Sequence, residues 1–335
     1  MAVTIKDVAK LAGVSISTVS RVINDSKPVS PEARRKVLHA IKELEYEPNE
    51  VARSLVTKKS NLIGVIVDDI GSHYVAQIVR GIEEIGRMYN YDIILSSSYG
   101  SAETEMKFLQ LLRTKQAEGI ILVSEIMNEK LLEYLKELKI EFIYLNRYYN
   151  VPELPTVSLN NKQASAMMME YLIELGHENI LYVTQEKDIE QTIEKCKIEA
   201  YNEAMKKIGS KSVIHQIDSH EIYAGYNAGP EIQKVIKEND ITAVFCCQDE
   251  LAIGLMNYFY DNNIKVPDDI SVAGYGDINV ASIYRPTLTT IKEPYYDLGA
   301  VSVRKILKKL IGEPIDEDKI VLPMRLIKRE SCKKI

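Results

Sequence analysis

Short apolar segments alternate with longer segments of helical periodicity from residue 62 to about residue 274, and this alternation restricts the fold more than any other feature of the chain. The wholly apolar run Leu62–Val67 predicts a buried strand. Ile78, Ile82 and Ile85 lie on one face of a helix predicted over about 74–89. Strands that alternate with helices of this length predict parallel, doubly wound sheets.

The alternation runs through two similar cycles. Further strands of the first cycle are predicted at 92–96, 119–123, 142–145 and 156–158, with helices between them. The second cycle has predicted helices at about 162–175, 189–208, 224–237 and 250–262, and predicted strands at 179–183, 213–216, 243–246 and 271–274. Two cycles of this kind predict two α/β lobes that face each other across a cleft.

The first 60 residues follow a different, purely helical pattern. Thr4 begins a near capping box for a helix over 5–12, and Gly13 offers the positive φ that ends a helix. Ser15 is suited to cap a second helix, and Pro31 occupies the first position of a third. A helix, a short turn containing glycine and a second helix form the helix-turn-helix layout of DNA-binding domains.

The predicted second helix exposes short polar side chains and one arginine. Arg21 suits a bidentate contact with guanine in the major groove, and the hydroxyl groups suit phosphate contacts. Residues 1–60 carry 11 Lys and Arg against 7 Asp and Glu, whereas the whole chain has a net charge of −6. A basic head on an acidic body fits a nucleic-acid contact at the N-terminal end. The alternative is a solvated helix face, made by the same side chains: Ser15, Ile16, Ser17, Thr18, Ser20 and Arg21.

The head contains a long, nearly gapless motif. It runs through Val-Thr-Ile-Lys-Asp-Val-Ala at 3–9, Ala-Gly-Val-Ser at 12–15, Ser-Thr-Val-Ser-Arg-Val-Ile-Asn at 17–24, Tyr-Glu-Pro-Asn at 46–49 and Val-Ala-Arg-Ser-Leu at 51–55. In this motif the chain resembles the LacI/GalR family of bacterial transcriptional regulators. The resemblance implies a homodimer that binds a pseudo-palindromic operator in double-stranded DNA. It also implies a set of DNA-binding residues: Thr4, Ser15, Ile16, Ser17, Thr18, Ser20, Arg21, Asn24, Val29, Asn49, Ala52, Arg53 and Leu55.

Residues 48–57 correspond to the hinge helix of that family. Pro48 ends the third helix, and the segment that follows is barely two turns long, which is too short for a stable isolated helix in water. In the resembling family this helix orders only when two copies pair over the operator, and its leucine wedges between base pairs from the minor groove. Leu55 stands at that position, and Val51 and Ala52 complete an apolar stripe.

The resemblance extends to the body, for which the family implies a periplasmic-binding-protein-like fold of two lobes with doubly wound parallel sheets. The chain crosses between such lobes three times, and the crossings are expected near 160–161, 288–291 and 322–323. The expected domains are a helix-turn-helix domain over 1–59 and an effector and dimerisation domain over 60–335. The N-lobe is expected at about 60–160 and 292–321, and the C-lobe at about 161–291 and 322–335.

Three segments of the body, at 88–95, 293–304 and 322–326, are similar to those of the catabolite-control-protein-A subfamily. That resemblance implies control by a protein corepressor, HPr phosphorylated on a serine, which binds the N-lobe. Asp297, Arg304 and Arg325 match the positions that meet HPr in the subfamily. The resemblance therefore implies a global regulator of carbon catabolite repression.

The spacing and charge of these residues also favour the expected HPr surface. Asp297 and Arg304 are seven residues apart, so they share a helical face, and Lys305 and Lys308 add cationic donors for a phosphoserine. Without the resemblance, a solvated amphipathic helix would be the preferred interpretation. Three residues of the first helix of the N-lobe are expected to complete the surface: Glu84, Met88 and Tyr89.

Residues expected in the interlobe cleft depart from those of sugar-binding family members. By alignment with the family, Glu194 stands in place of an arginine and Gly276 in place of an aspartate, although Asp277 follows directly. Asp249 matches a cleft acid, so Asp249 and Asp277 are the expected ligand-binding residues. Two altered polar anchors disfavour tight sugar binding, because a hydroxyl-reading pocket draws its selectivity from such groups. A pathway-specific repressor controlled by a small sugar-like ligand in the cleft is the alternative function.

Enzymatic and membrane functions find no support in the sequence. It has neither a phosphate-binding glycine loop nor a Gly-x-Ser-x-Gly elbow, and its five histidines lack metal-ligand spacing. We therefore expect no catalysis, no metal and no cofactor. Apolar runs are far shorter than the ~20 residues of a membrane span, and the N-terminus has no signal-peptide pattern, so a cytoplasmic protein is expected. Cys246 and Cys247 lie in an apolar run and are expected to be buried.

Overall fold

The protein is described from a computed structural model. The structure describes residues 3–25, 27–46, 59–124, 128–146, 154–185, 192–314 and 320–335. The chain divides into two compact units, Met1–Ser60 and Asn61–Ile335, and each is described by itself.

The first unit contains a small bundle of three helices, α1 (Ile5–Ala12), α2 (Ile16–Asn24) and α3 (Pro31–Glu43). The backbone N–H of Thr4 donates to Oδ2 of Asp7 at 2.9 Å, which caps α1, and Gly13 ends that helix with a φ of 66°. One wholly buried valine from each helix, Val8, Val19 and Val37, forms the centre of the bundle. The core is small, so these valines fix how the three helices pack.

The first sheet of the second unit has the strand order β2–β1–β3–β4, and all its strands are parallel. Its central strand pairs Val65 with Leu95 on one side and with Ile121 on the other. The strands and their connecting helices follow in chain order: β1 (Leu62–Val67), α4 (His73–Met88), β2 (Asp92–Ser97), α5 (Ala102–Thr114), β3 (Gly119–Ser124), α6 (Glu129–Glu137) and β4 (Glu141–Asn146).

The second sheet has six strands. Their order is β12 (Arg325–Ile327), β10, β9, β8, β6 and β7, and only the pair β10–β12 is antiparallel. Its core includes the wholly buried Tyr182, Phe245 and Phe259. Its elements, with the short strand that precedes them, are β5 (Val157–Leu159), α7 (Asn161–Glu174), β6 (Ile180–Gln185), α8 (Glu194–Lys207), β7 (Val213–Ile217), α9 (Ile222–Asn227), α10 (Gly229–Glu238), β8 (Ala243–Cys246), α11 (Asp249–Asp261), β9 (Ser271–Gly276), α12 (Asn279–Ile283) and β10 (Thr289–Lys292).

Three crossings join the two sheets. The helix α13 (Tyr295–Ile311) packs against α4 of the first sheet, and β11 (Ile320–Leu322) pairs with β5 before β12 (Arg325–Ile327) returns to the second sheet. The second crossing therefore lies at Glu293 and Pro294 and not at 288–291. The expectation was a few residues early because hydrogen bonds with β9 and β12 hold β10 in the second sheet as far as Lys292.

One predicted helix is two helices in the structure. The segment expected as a single helix over 224–237 forms α9 and α10, which meet at Ala228. Pro230 lies in the first turn of α10, and a proline has no N–H to continue the hydrogen-bond ladder of the preceding helix. The helical periodicity of the sequence continues across the break, which is why the pattern alone did not reveal it.

Candidate DNA-binding face and effector surfaces

The helix α2 presents the residues expected to contact DNA. The hydroxyl of Ser15 accepts from the backbone N–H of Thr18 at 3.2 Å and shares hydrogen bonds of 2.8 Å with the hydroxyls of Ser17 and Thr18. Ser15, Ser17, Arg21 and Ile16 are exposed, the last at 44%. The side chain of Ser15 therefore caps the N-terminal turn of α2. Polar groups and the guanidinium of Arg21 face solvent.

The other expected DNA contacts divide into two groups. Ser20 and Asn24 are half-buried and joined to each other, since the Asn24 amide donates to the Ser20 hydroxyl at 3.2 Å. Val29 is also half-buried, and it packs against the core of the bundle. Thr4 is exposed at the start of α1. The four expected contacts of the hinge segment lie outside the described residues: Asn49, Ala52, Arg53 and Leu55.

The helices α4 and α13 form one unit of the N-lobe because two glycines allow their backbones to touch. A Cβ on Gly81 would lie 2.1 Å from the carbonyl oxygen of Tyr296, and a Cβ on Gly299 would lie 2.0 Å from that of Ile78. Glu84 of α4 accepts a hydrogen bond of 2.7 Å from the Tyr296 hydroxyl. These contacts hold the two helices in one fixed arrangement.

The residues expected to meet HPr are partly brought together on this pair of helices. Asp297 and Arg304 are both exposed on α13, and Met88, at the end of α4, is 73% exposed. Tyr89 and Lys308 are half-buried. The carboxylate of Glu84 is already hydrogen-bonded within the protein, because it accepts from the hydroxyl of Tyr296 and from Nε of Arg80, the latter at 3.0 Å.

Lys305 is not the surface cation that the sequence suggested. Its side chain is only 4% exposed on the inner side of α13, so it is not positioned to meet a phosphate at the surface. Arg325 and Asp297 line one cavity of about 500 Å³ together with Lys292 and Tyr296. Arg304 is not among the residues around that cavity, so Asp297 borders both the cavity and the outer face of α13, whereas Arg304 lies on the outer face alone.

The two carboxylates expected in the cleft are engaged by the protein itself. Asp249 is wholly buried, and its oxygens accept from the Thr290 hydroxyl at 2.5 Å and from the backbone N–H of Ile278 at 2.9 Å. Burial raises the pKa of Asp249 to about 7. Asp277 pairs with Arg329 at 2.6 Å and with Lys292 at 3.3 Å. Asp249 therefore faces the interior of the C-lobe and is not open to a ligand.

Between the lobes lies a cavity of about 320 Å³, called here the cleft cavity. Its wall combines tyrosines and aliphatic side chains of the N-lobe with residues at the start of α8. Around it are Tyr74, Ile78, Val123, Tyr144, Leu145, Asn146, Thr192, Ile193, Cys196, Glu293, Tyr295 and Leu298. Cavities of this size are typical of small-molecule sites.

Sequence reasoning missed Lys197, which places a buried positive charge in the C-lobe beside the cleft. The carboxylate of Glu194 pairs with the ammonium of Lys197 at 2.6 Å. The spacing of three residues within a helix was a visible signal for this pair. The sequence did not reveal that both groups turn inward.

Comparisons with known proteins identify the family of the chain. Residues 4–49 match the family of bacterial regulatory proteins named after lacI, and residues 169–332 match the periplasmic binding protein-like domain. The chain is 38% identical to the transcriptional regulator RegA of Clostridium saccharobutylicum over 334 residues, covering 99% of both chains. It is 36% identical to catabolite control protein A of Priestia megaterium over 338 residues, covering 99% of this chain and 100% of that one.

The fold is also similar to that of a known member of this family. A crystal structure of the lac repressor dimer bound to operator superimposes with a TM-score of 0.86 and 26% identity, covering 99% of this chain and 100% of that one. These relatives are transcriptional regulators and not enzymes. Within the described residues, no helix is both long and apolar enough to cross a membrane. The chain therefore belongs to the lacI family of bacterial regulatory proteins and is a DNA-binding transcriptional regulator.

Proposed function

We propose that this regulator is a homodimeric repressor of the carbon catabolite type, activated when serine-phosphorylated HPr binds the N-lobe. The exposed pair Asp297 and Arg304 on α13 is the observation that carries the proposal. The two residues are two helical turns apart on one face, so a partner meets an anion and a cation in fixed positions. An arginine forms strong, bidentate hydrogen bonds with phosphate, which suits a phosphoserine.

The neighbouring residues support a protein partner at this surface. Met88 is an exposed flexible apolar side chain, and methionines of this kind adapt to a docking protein. The glycine contacts between α4 and α13 hold both helices in place, so a partner would meet a surface that is already formed. Similarity to catabolite control protein A over nearly the whole chain supports the same class of regulator.

A second copy of the chain is the proposed occupant of two exposed apolar surfaces. Leu95 and Tyr99, on and just after the edge strand β2, are 41% and 74% exposed. On the C-lobe, Tyr223 and Ile283 are 78% and 70% exposed. Contact of these four side chains with a second copy would remove apolar area from water, which favours association. Pairing of two copies would also present two α2 helices to the half-sites of a pseudo-palindromic operator.

The remaining parts of the proposal concern DNA and place of action. Arg21 would read a base edge from α2, and the exposed hydroxyls of Ser15 and Ser17 would bind phosphates. The residues of the hinge segment, including Leu55, would add DNA contacts from the minor groove. A regulator that must meet operator DNA would act in the bacterial cytoplasm.

The experiment is a titration of operator DNA, selected from a random pool, with the full-length chain at fixed salt. Serine-phosphorylated HPr, unphosphorylated HPr and an HPr whose serine is replaced by alanine are added in parallel. We expect only the phosphorylated form to increase operator affinity, by about tenfold or more, which corresponds to ~1.4 kcal/mol of coupling. If neither native form changes the affinity, the corepressor role is wrong.

The alternative is a pathway-specific repressor controlled by a small ligand, and the cleft cavity of about 320 Å³ is the observation that favours it. The same titration separates the two functions. A change of operator affinity with a sugar or sugar phosphate, together with no response to HPr, would support the alternative.

A further inference from the structure

A complete ion pair is buried in the C-lobe wall of the cleft. Nζ of Lys197 lies 2.6 Å from Oε1 of Glu194, and the two side chains are only 5% and 12% exposed. The second carboxylate oxygen of Glu194 accepts from the hydroxyl of Tyr182 at 2.9 Å and from that of Thr184 at 3.0 Å. Both oxygens of the carboxylate are therefore satisfied by the protein.

The ammonium group is equally well surrounded. Lys197 donates to the carbonyl oxygen of Cys247 at 3.2 Å and lies 4.0 Å above the ring centre of Tyr275. Burial alone lowers the pKa of Lys197, but its surroundings, with the charge of Glu194 foremost, raise the pKa above its usual value, so the side chain stays an ammonium. These partners compensate for the hydration that the ammonium group loses when it is buried.

Little space remains beside this pair. A cavity of about 10 Å³, called here the polar pocket, is enclosed by Glu194, Lys197, Gln248, Tyr275 and Glu293, together with Ile193 and Cys247. A volume of this size holds one water molecule and no more. Gln248 is 5% exposed, and its carbonyl oxygen has no hydrogen-bond partner in the protein. The polar pocket thus suits a single water and has no room for a sugar ring.

The same cluster reaches all three crossings between the lobes. The hydroxyl of Tyr275 donates to Oδ1 of Asn161 at 2.7 Å and contacts Sδ of Met324 at 3.4 Å. Asn161 begins the segment after the first crossing, Glu293 lies in the second, and Met324 lies in the third. The Tyr275 ring also contacts the ammonium of Lys197, so a single side chain lies between Lys197 and residues of the first and third crossings.

We propose that Lys197, held by Glu194, is a fixed part of the wall of the polar pocket, that its ammonium group leaves no room there for a polyol ligand, and that the pair keeps the lobes in the operator-binding orientation. Control by a ligand must then act elsewhere, at the surface of α13 or in the cleft cavity. The inference rests on the proposed function only in taking operator affinity as its readout. Lys197 is accordingly a positioning and specificity-determining residue.

The test is chemical rescue in the full-length protein. Lys197→Ala removes three carbons and the ammonium, which together have the size of n-propylammonium. We expect this variant to bind operator at least tenfold more weakly than the wild type, and n-propylammonium to restore most of the lost affinity. Tetramethylammonium at the same concentration controls for ionic strength, to which DNA binding is sensitive, and should not rescue. Lys206→Ala, an exposed lysine of the same helix, should behave as the wild type.

A double variant keeps the test decisive if Lys197→Ala does not fold. Glu194→Gln combined with Lys197→Ala removes the ammonium together with the negative charge of the carboxylate that contacts it, so the double variant is expected to fold more readily than Lys197→Ala. We expect its operator affinity to be at least tenfold below that of the wild type and insensitive to n-propylammonium. Wild-type affinity in either variant, or equal rescue by both ammonium ions, would overturn the proposal. Failure of the wild type to respond to HPr would refute the proposed function alone.

Discussion

At the scale of single residues, several polar side chains act inside the protein where the sequence suggested ligand contacts. Asp249 is the clearest case, since a neighbouring hydroxyl and a backbone N–H occupy its oxygens. Asp277 is held by Arg329 and Lys292 in the same way. Asp249 is therefore closed to a ligand by its burial, whereas Asp277 also borders the cavity of about 500 Å³ and stays a predicted ligand-binding residue.

The raised pKa of Asp249 makes a prediction for stability. Its pKa is about 7 in the folded protein, above the usual value of 3.8, so the folded state binds the proton more tightly than the unfolded state. Ionisation of this group therefore lowers the free energy of unfolding as pH rises from about 4 to 7. Urea unfolding of the wild type and of Asp249→Asn at pH 5 and pH 8 measures the effect.

We expect the wild type to lose stability relative to Asp249→Asn between these two pH values. One unit of pKa shift corresponds to about 1.4 kcal/mol, so the change should be a few kcal/mol at most. The comparison cancels the titration of all other groups. A difference between the two proteins that does not vary with pH would show that Asp249 is ionised throughout.

At the scale of elements, α13 has two faces with different tasks. Its inner face packs on α4 through Gly299 and buries Lys305, and its outer face exposes Asp297 and Arg304. Near its end, Lys309 pairs with Glu141 of β4 at 2.9 Å. The helix therefore offers both a residue for the proposed corepressor contact and a structural lysine as a control.

Arg304→Ala should remove the response to phosphorylated HPr while operator binding by the regulator alone stays within about twofold. The reason is that Arg304 would supply the charge-assisted hydrogen bonds to the phosphoserine, and breaking such a contact is worth at least ~1.5 kcal/mol. Operator titration with and without the corepressor measures both quantities. Lys309→Ala should keep the response. Equal loss of basal binding and of the response in Arg304→Ala would mean that the residue supports the fold.

At the scale of the whole molecule, the proposed dimer joins two copies through apolar surfaces of both lobes. Ile283→Lys places a charge on the exposed apolar surface of the C-lobe, where burial without a partner is unfavourable. We expect this variant to be a monomer in analytical ultracentrifugation at concentrations where the wild type is a dimer. Operator affinity should fall far more than affinity for nonspecific DNA, because two half-sites must be bound together.

The control is Lys237→Ala, a change of an exposed polar side chain at the end of α10. It should leave both the molecular mass in solution and the operator affinity unchanged. A wild-type mass for Ile283→Lys would place the dimer contact on another surface.

Most elements of this protein and their order could be predicted from short stretches of sequence. The caps at Thr4 and Ser15 and the apolar run of β1 act within a few residues, so the helix-turn-helix and the alternating strands and helices were predictable. The burial of Cys246 and Cys247 was predictable for the same reason, since a wholly apolar strand is covered on both faces.

Contacts between distant parts of the chain set the surroundings of the polar groups. Lys197 meets Tyr275 of a strand about 80 residues further along the chain, and the burial of Lys305 depends on how α13 lies on the first sheet. Periodicity states which residues share a face but not what that face will contact. The desolvation and pairing of charges, which govern the cleft, are therefore set by contacts distant in the chain.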